Sequence, residues 1–174
     1  GGEDQWRFLP CGPFPDRAAF ATWQSTCRGS DDPRFLAVTG EDGTAAGMLA
    51  LMRWAPAHRV VEVGHVWYGP SLRGTRAGTE AIALVMRHVF GELGFRRLEW
   101  KCDAGNDRSR RAAERLGFTY EGTFRKHMLV KGRSRDTAWF SITDDEWPDR
   151  ERRLEIWLDP GNFDEAGRQI TPLG

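Results

Sequence analysis

The sequence predicts a mixed α/β fold: one central, mostly antiparallel sheet with a single parallel strand pair, covered by helices. Three observations predict it. Short apolar runs separated by turn residues fill the first 70 positions, as in an antiparallel meander. One long amphipathic stretch from Thr79 to Leu93 then stands between two strand-like runs, which requires a parallel, right-handed crossover. Two further long runs joined by Lys131-Gly132-Arg133-Ser134 close the chain as a hairpin.

The elements follow in order. Gln5 to Phe14 is aromatic and broken by prolines, and reads as a first strand or extended arm. Asp16 can cap a helix whose apolar positions Ala19, Phe20, Trp23 and Cys27 share a face. Phe35–Val38 and Ala46–Trp54 read as strands around the turn Gly40-Glu41-Asp42-Gly43. The second is apolar at nearly every position, so both its faces should be covered. Val60–Tyr68 is the third strand. The crossover helix carries Ile82, Val85, Met86, Val89, Phe90 and Leu93 at helical spacing, with Gly94 as its C-cap. Arg97–Cys102 is the next strand. A short helix starts at Asn106, presents Ser109, Ala112, Ala113 and Leu116 on one side, and ends at Gly117. Phe118–Val130 and Arg135–Ile142 are the hairpin strands, and Pro148–Leu158 is a terminal helix. Residues 1–158 are expected to form one domain and residues 159–174 a polar surface tail.

Composition narrows the function. Lysine plus arginine equals aspartate plus glutamate, 25 each, so no general nucleic-acid-binding surface is predicted. The cysteines Cys11, Cys27 and Cys102 have neither metal-ligand nor disulfide-framework spacing, and read as reduced thiols of a cytoplasmic protein. No metal site is expected. No apolar run is long enough to span a membrane, and Gly1-Gly2-Glu3-Asp4 does not read as a signal peptide.

The chemistry concentrates between Val60 and Leu93. A strand runs into a Gly/Arg-rich turn and then a helix. A helix start offers unpaired amides and a partial positive charge, which suits the pyrophosphate of a bulky cofactor.

The segment Arg73-Gly74-Thr75-Arg76-Ala77-Gly78 resembles the acyl-CoA-binding motif of the GNAT superfamily of N-acetyltransferases, (Gln/Arg)-x-x-Gly-x-(Gly/Ala), with Arg76 standing where that motif has its middle glycine. The run Asn106–Phe118, with Glu121-Gly122 and Arg125, is similar to the subgroup typified by the RimJ/RimL ribosomal-protein N-acetyltransferases. Arg135–Ser141 and Glu146-Trp147 extend the likeness. The resemblance implies a GNAT fold, its sheet splayed at the one parallel strand pair with helices on both faces, acetyl-CoA as cosubstrate and direct attack of a primary amine on the thioester. The acceptor it implies is a protein N-terminus, an amino acid or peptide, or a small amine. It also places the cofactor against Val66, Trp67 and Tyr68, along Arg73, Gly74, Thr75, Arg76, Ala77, Gly78 and Thr79, and beside Asn106 and Ser109. Homodimers are common in this subgroup.

Candidate catalytic residues are Glu62 and Ser109. Glu62 shares a strand face with Gly64 and Val66 by alternation, and a carboxylate among apolar neighbours gains base strength. The competing reading pairs it with an arginine such as Arg97 at the sheet rim. For Ser109 the family parallel suggests the proton donor to the CoA thiolate, against a plain helix-start hydroxyl. His65, expected on the opposite face, and Arg125 and His127, expected together on one face of a later strand, are the candidate acceptor contacts. A histidine buried under a helix and a solvated strand face explain the same patterns. Two other readings remain open: another acyl donor (a longer acyl-CoA or aminoacyl-tRNA), and a non-catalytic CoA-binding module.

Overall fold

The computed structural model describes residues 6–40 and 42–173. Gln5 and Glu41, parts of the expected first strand and first hairpin turn, lie outside the described residues. Four α-helices and a six-stranded sheet follow in the order α1 (Arg17–Arg28), β1 (Arg34–Thr39), β2 (Ala45–Ala55), β3 (Val60–Tyr68), α2 (Arg76–Arg87), β4 (Arg97–Asp103), α3 (Asp107–Arg115), β5 (Thr119–Val130), β6 (Arg133–Thr143) and α4 (Trp147–Leu158). The sheet order is β1-β2-β3-β4-β6-β5. Only β3 and β4 are parallel among the paired strands; the other four pairings are antiparallel.

Local chemistry sets the element ends. The Asp16 carboxylate accepts from the Ala19 amide at 2.7 Å and starts α1. Thr75 caps α2 and Asn106 caps α3 in the same way, at 3.2 Å each. A π-helical turn, His88–Glu92, extends α2, and Gly94 follows at φ +62°. Residues 6–14 form no strand. They make a turn-rich arm over α1, where the rings of Trp6, Phe14, Phe20 and Trp23 meet at centroid distances of 5.2–6.5 Å. With prolines at 10, 13 and 15, this segment could not supply a full ladder of donors.

The core lies on one face of the sheet. Val61, Val63, Leu98, Phe140 and Ile142 meet Ile82 and Met86 of α2, Ala113 of α3 with Leu116 just after it, and Leu154 and Trp157 of α4. Large side chains with almost no exposure, Phe140, Leu49, Leu51, Ile82 and Met86 among them, make this the main source of hydrophobic stabilisation. The opposite face carries charged side chains in the centre and α1 with the arm toward the β1 edge, through the contact of Trp23 with Phe35.

Three strands contain irregularities that redirect side chains. Between the pairs Met48↔Trp67 and Ala50↔Gly64, β3 has one extra residue, and His65 adopts φ +50°. Between Met52↔Glu62 and Ala55↔Val60 the extra residue is on β2, and Arg53 adopts φ +54°. Asp32 satisfies that bulge by accepting from the Arg53 and Trp54 amides. In β5 the register shifts between Phe124 and Met128, with Lys126 at φ +50° and its amide donated to Asp136. One extra residue, as at His65 and at Arg53, reverses the alternation beyond it, whereas the two extra residues of β5 break the alternation only between Phe124 and Met128.

The tail differs from a simple surface strap. It forms a 3₁₀ turn at Pro160–Asn162 and a bridge between Phe163 and Gln169, and it buries Leu173. No helix among the described residues is long and apolar enough to cross a membrane.

Candidate active site

The parallel ladder between β3 and β4 ends at Val63↔Trp100. From Gly64 to Tyr68, β3 continues beside β2 alone, so the splay opens at Gly64, three residues before Trp67. A cleft of ≈ 1510 Å³ occupies this gap and runs on to the α2 N-terminus and the start of α3.

One end of the cleft is the loop before α2. Gly74, Thr75, Gly78 and Thr79 line it, with Arg73, whose Nε donates to the Tyr68 carbonyl at 2.8 Å. Among the described residues, the amides of Gly74, Arg76 and Ala77 have no acceptor in the fold, as expected for a helix start. Gly74 takes φ +70°, which its lack of a side chain permits. Gly78 is needed for a different reason: a Cβ there would collide with the Leu72 carbonyl oxygen and meet the Tyr68 ring at 3.2 Å. Tyr68 fits under this turn with its hydroxyl donated to the Gly78 carbonyl, and burial raises its pKa. Arg76 and Ala77 do not line the cleft. The Arg76 Nε donates instead to the Leu158 carbonyl at the end of α4, at 2.7 Å, with the guanidinium over the Phe163 ring. A side chain was therefore accommodated where the motif has glycine, because it points toward α4.

Glu62 forms the floor. Its carboxylate is buried, 3.1 Å from the Arg53 Nε and 3.0 Å from the Lys101 Nζ. Neither contact has good hydrogen-bond alignment at Oε2, so the two cations hold it by charge more than by directed bonds. Burial raises the Glu62 pKa, against the opposing effect of Lys101 and Arg53 and with a small added push from Glu99. Lys101, itself nearly fully buried, also contacts Glu99 at 2.6 Å and lies 3.8 Å from the centre of the Trp139 ring. Burial pushes Glu99 upward too, but hydrogen bonds from Lys101 and Arg97 outweigh it and leave its pKa lowered. Arg97 pairs with Glu99 and Glu121, not with Glu62. Sequence reasoning missed Arg53 and Lys101. Lys101 had left a signal, the alternation Arg97, Glu99, Lys101 along a buried strand; Arg53 reaches this face only through its bulge.

The bulge at His65 also corrects that residue's placement. His65 does not face away from Glu62. Its ring lies against Phe35, centroids 5.0 Å apart, on the side of Glu62 and Gly64, and burial lowers its pKa. Val66 turns to the core, and Trp67 stacks on Trp6 at 5.7 Å and 13°. Across the cleft, Ser109 lies in the first turn of α3, where the Trp100 indole donates to its oxygen at 2.9 Å. Asn106 lines the cleft beside it. His127 lines the opposite wall, its Nδ1 3.0 Å from the Thr137 hydroxyl, while Arg125 is exposed and away from the cleft. The β5 bulge separates these two, which strict alternation had put together.

The comparisons with known proteins agree with this architecture. Residues 2–119 match the model of the acetyltransferase (GNAT) domain. The chain belongs to the GNAT acetyltransferase family. A GCN5-related N-acetyltransferase from Brucella melitensis has 49% identity and a TM-score of 0.96, covering 98% of this chain and 78% of its own. A structure described as a probable GNAT-family acetyltransferase from Chromobacterium violaceum ATCC 12472 has 44% identity and a TM-score of 0.80, over 85% of this chain and 75% of that one. The Bacillus subtilis (strain 168) protein named "Putative ribosomal N-acetyltransferase YdaF" is 31% identical over 106 residues, 61% of this chain. That match spans 57% of YdaF's length. The YdaF name is consistent with the RimJ/RimL-type resemblance, and the two solved structures share the overall fold.

Proposed function

We propose that the chain transfers an acetyl group from acetyl-CoA to a primary amine by direct attack, as a cytoplasmic enzyme. The observation that carries this reading is the cleft joining the loop before α2, where the Gly74 amide has no acceptor among the described residues, to the gap where Gly64–Tyr68 have left β4. The loop suits a pyrophosphate, with Arg73 adding charge at its edge. The splayed end of β3 offers main-chain donors, unclaimed by a β4 ladder, for a thioester carbonyl that becomes an oxyanion.

Glu62 and Ser109 divide the proton work. The acceptor arrives as an ammonium and passes one proton to Glu62, directly or through water. The neutral amine forms the C–N bond, the C–S bond breaks, the thiolate takes the Ser109 proton, and the nitrogen gives up its second proton, directly or through water, to restore the Ser109 hydroxyl. Ser109 is suited to this because Trp100 already donates to its oxygen, leaving its own hydrogen free to be given. An acceptor contact at His127 and His65 is consistent with their places on the walls.

The test is thiol release from acetyl-CoA with a panel of primary amines, for the native chain and Glu62→Gln. Acetylated amine with a loss of rate in the variant supports the reading. CoA binding without acetyl transfer to any amine would favour a binding module instead. Transfer only from longer acyl-CoAs would keep the chemistry and change the donor.

A further inference from the structure

We infer that the acceptor is a carboxylate-bearing amine, and that Arg135 and Arg7 bind its carboxylate. The inference rests on the transferase reading above and deepens it.

A second cavity of ≈ 270 Å³ adjoins the acceptor half of the cleft. Arg7 and Arg135 line both spaces, and so does Asp103. Lys131 and Arg133 complete the smaller cavity's charged lining, so four cations face one carboxylate. That carboxylate is partly engaged, since Asp103 Oδ1 accepts from the Gly105 amide at 2.8 Å. Lys131 is engaged too. Its ammonium donates to the carbonyls of Trp6 and Cys11 at 2.8 and 3.0 Å and fastens the arm to the β5–β6 hairpin. Neither Arg7 nor Arg135 has a carboxylate within ion-pair distance among the described residues. The Arg135 Nε is buried without a hydrogen-bond partner among the described residues. An unpaired buried guanidinium donor is costly unless a ligand satisfies it, and its fork of donors matches a carboxylate.

The position fits. Glu62 is level with Glu99 and Ser141 across the sheet. Arg135 lies six residues along β6 from Ser141, roughly 20 Å at about 3.3 Å per residue. That brings it level with the end of β3, where the strands have separated. Arg7 is held over the same region because Trp6, its neighbour in sequence, stacks on Trp67. The surplus of positive charge disfavours a di- or polyamine, whose second ammonium would meet two guanidiniums that have no ion pair among the described residues. Trp6 and Phe8 add apolar wall for the spacer between amine and carboxylate.

The experiment compares ω-aminocarboxylates of increasing length with their primary amides, with aminoalkylphosphonates and with diamines of matched length. Steady-state acetylation is read beside calorimetric binding to the CoA-loaded protein, which needs no turnover. At the best length the carboxylate should exceed its amide in kcat/KM by about 10- to 100-fold. Arg135→Gln should collapse that ratio toward one, Arg7→Gln should reduce it, and Arg125→Gln, away from the cleft, should leave it intact. A ratio near one in the native chain, a preference for diamines or phosphonates, or a ratio unaffected by Arg135→Gln overturns the inference. If acetyl transfer fails for every amine, the enzymatic reading falls. Carboxylate-dependent binding lost in Arg135→Gln would still establish the subsite, and its absence would remove the subsite as well.

Discussion

The Lys101 ammonium lies 3.0 Å from the Glu62 carboxylate across the parallel pair β3–β4, one register step beyond the last shared rung. Both side chains are nearly fully buried, at 6% and 7% exposure, so solvent does little to screen the pair. Lys101 therefore opposes the upward push that burial gives Glu62. Replacing it with methionine should raise the Glu62 pKa further. Since the base acts as the anion, the acid limb of the kcat/KM profile should shift to higher pH in Lys101→Met. Arg53→Gln should shift it the same way, less strongly, because Arg53 is a smaller contribution. The stability sign is the reverse of a salt-bridged carboxylate's. A folded pKa above the unfolded one favours the protonated form, so Glu62's contribution is present below the unfolded value and lost as pH rises through the folded one. A pH profile unmoved by Lys101→Met would remove Glu62 as the titrating base.

Much of the fold was legible because its punctuation is local. Asp16 and Asn106 cap helices through their own side chains, and Gly94 and Gly117 take the left-handed conformations that end them. The site was less legible because its face assignments depend on bulges. At His65, Arg53 and Lys126 no glycine announces the positive φ; each depends on register against a neighbouring strand, which is non-local. His65 and Arg53 were consequently misplaced or overlooked, and Arg125 was joined to His127 by an alternation that β5 does not keep. The side-chain direction of Arg76 was hidden for a related reason: its acceptor, the Leu158 carbonyl, is 82 residues away.

Ser109 has two roles that mutagenesis can separate. Its hydroxyl accepts from Trp100 and, in the proposed reaction, donates to the leaving thiolate. Ser109→Ala should lower kcat by on the order of 10²–10⁴ if it is the general acid. It should also cost about 1–3 kcal/mol in unfolding free energy, because the Trp100 indole loses its partner. Dissociation of CoA measured by calorimetry should change little. Ser109→Thr keeps a hydroxyl and should restore part of both. Unchanged turnover in Ser109→Ala, with a good acceptor, would leave only the structural role.

The two loop arginines should part in opposite directions. Arg73 lines the cleft, is exposed, and is free to meet phosphate with the terminal nitrogens that its Nε bond to Tyr68 leaves available. Arg73→Ala should weaken CoA binding, and the loss should shrink as salt is raised. Arg76 ties the α2 start to α4. Arg76→Ala should reduce thermal stability by about 1.5–3 kcal/mol with a smaller effect on CoA affinity. Salt-dependent calorimetry on both variants, beside thermal melts, distinguishes the roles; equal losses of affinity would return the Arg76 side chain to the cofactor.

Gly74 and Gly78 test whether the loop's shape, and not its charge alone, makes the binding site. Gly74 has open space where a Cβ would stand but a φ of +70°. Gly74→Ala should therefore cost about 1–2 kcal/mol of backbone strain while the loop keeps its course. At Gly78 the backbone conformation is helical and the obstacle is contact: the Leu72 carbonyl and the Tyr68 ring leave no room for a methyl group. Relief would require α2 to move off the loop or Tyr68 to give up its bond to the Gly78 carbonyl. Gly78→Ala is thus expected to lower CoA affinity at least ten-fold, whereas Gly74→Ala keeps it within a few-fold of native. Calorimetric titration of CoA into both proteins, with circular dichroism to establish that each is folded, decides between shape and charge. Native affinity in a folded Gly78→Ala would show that close backbone approach at this turn is dispensable for binding.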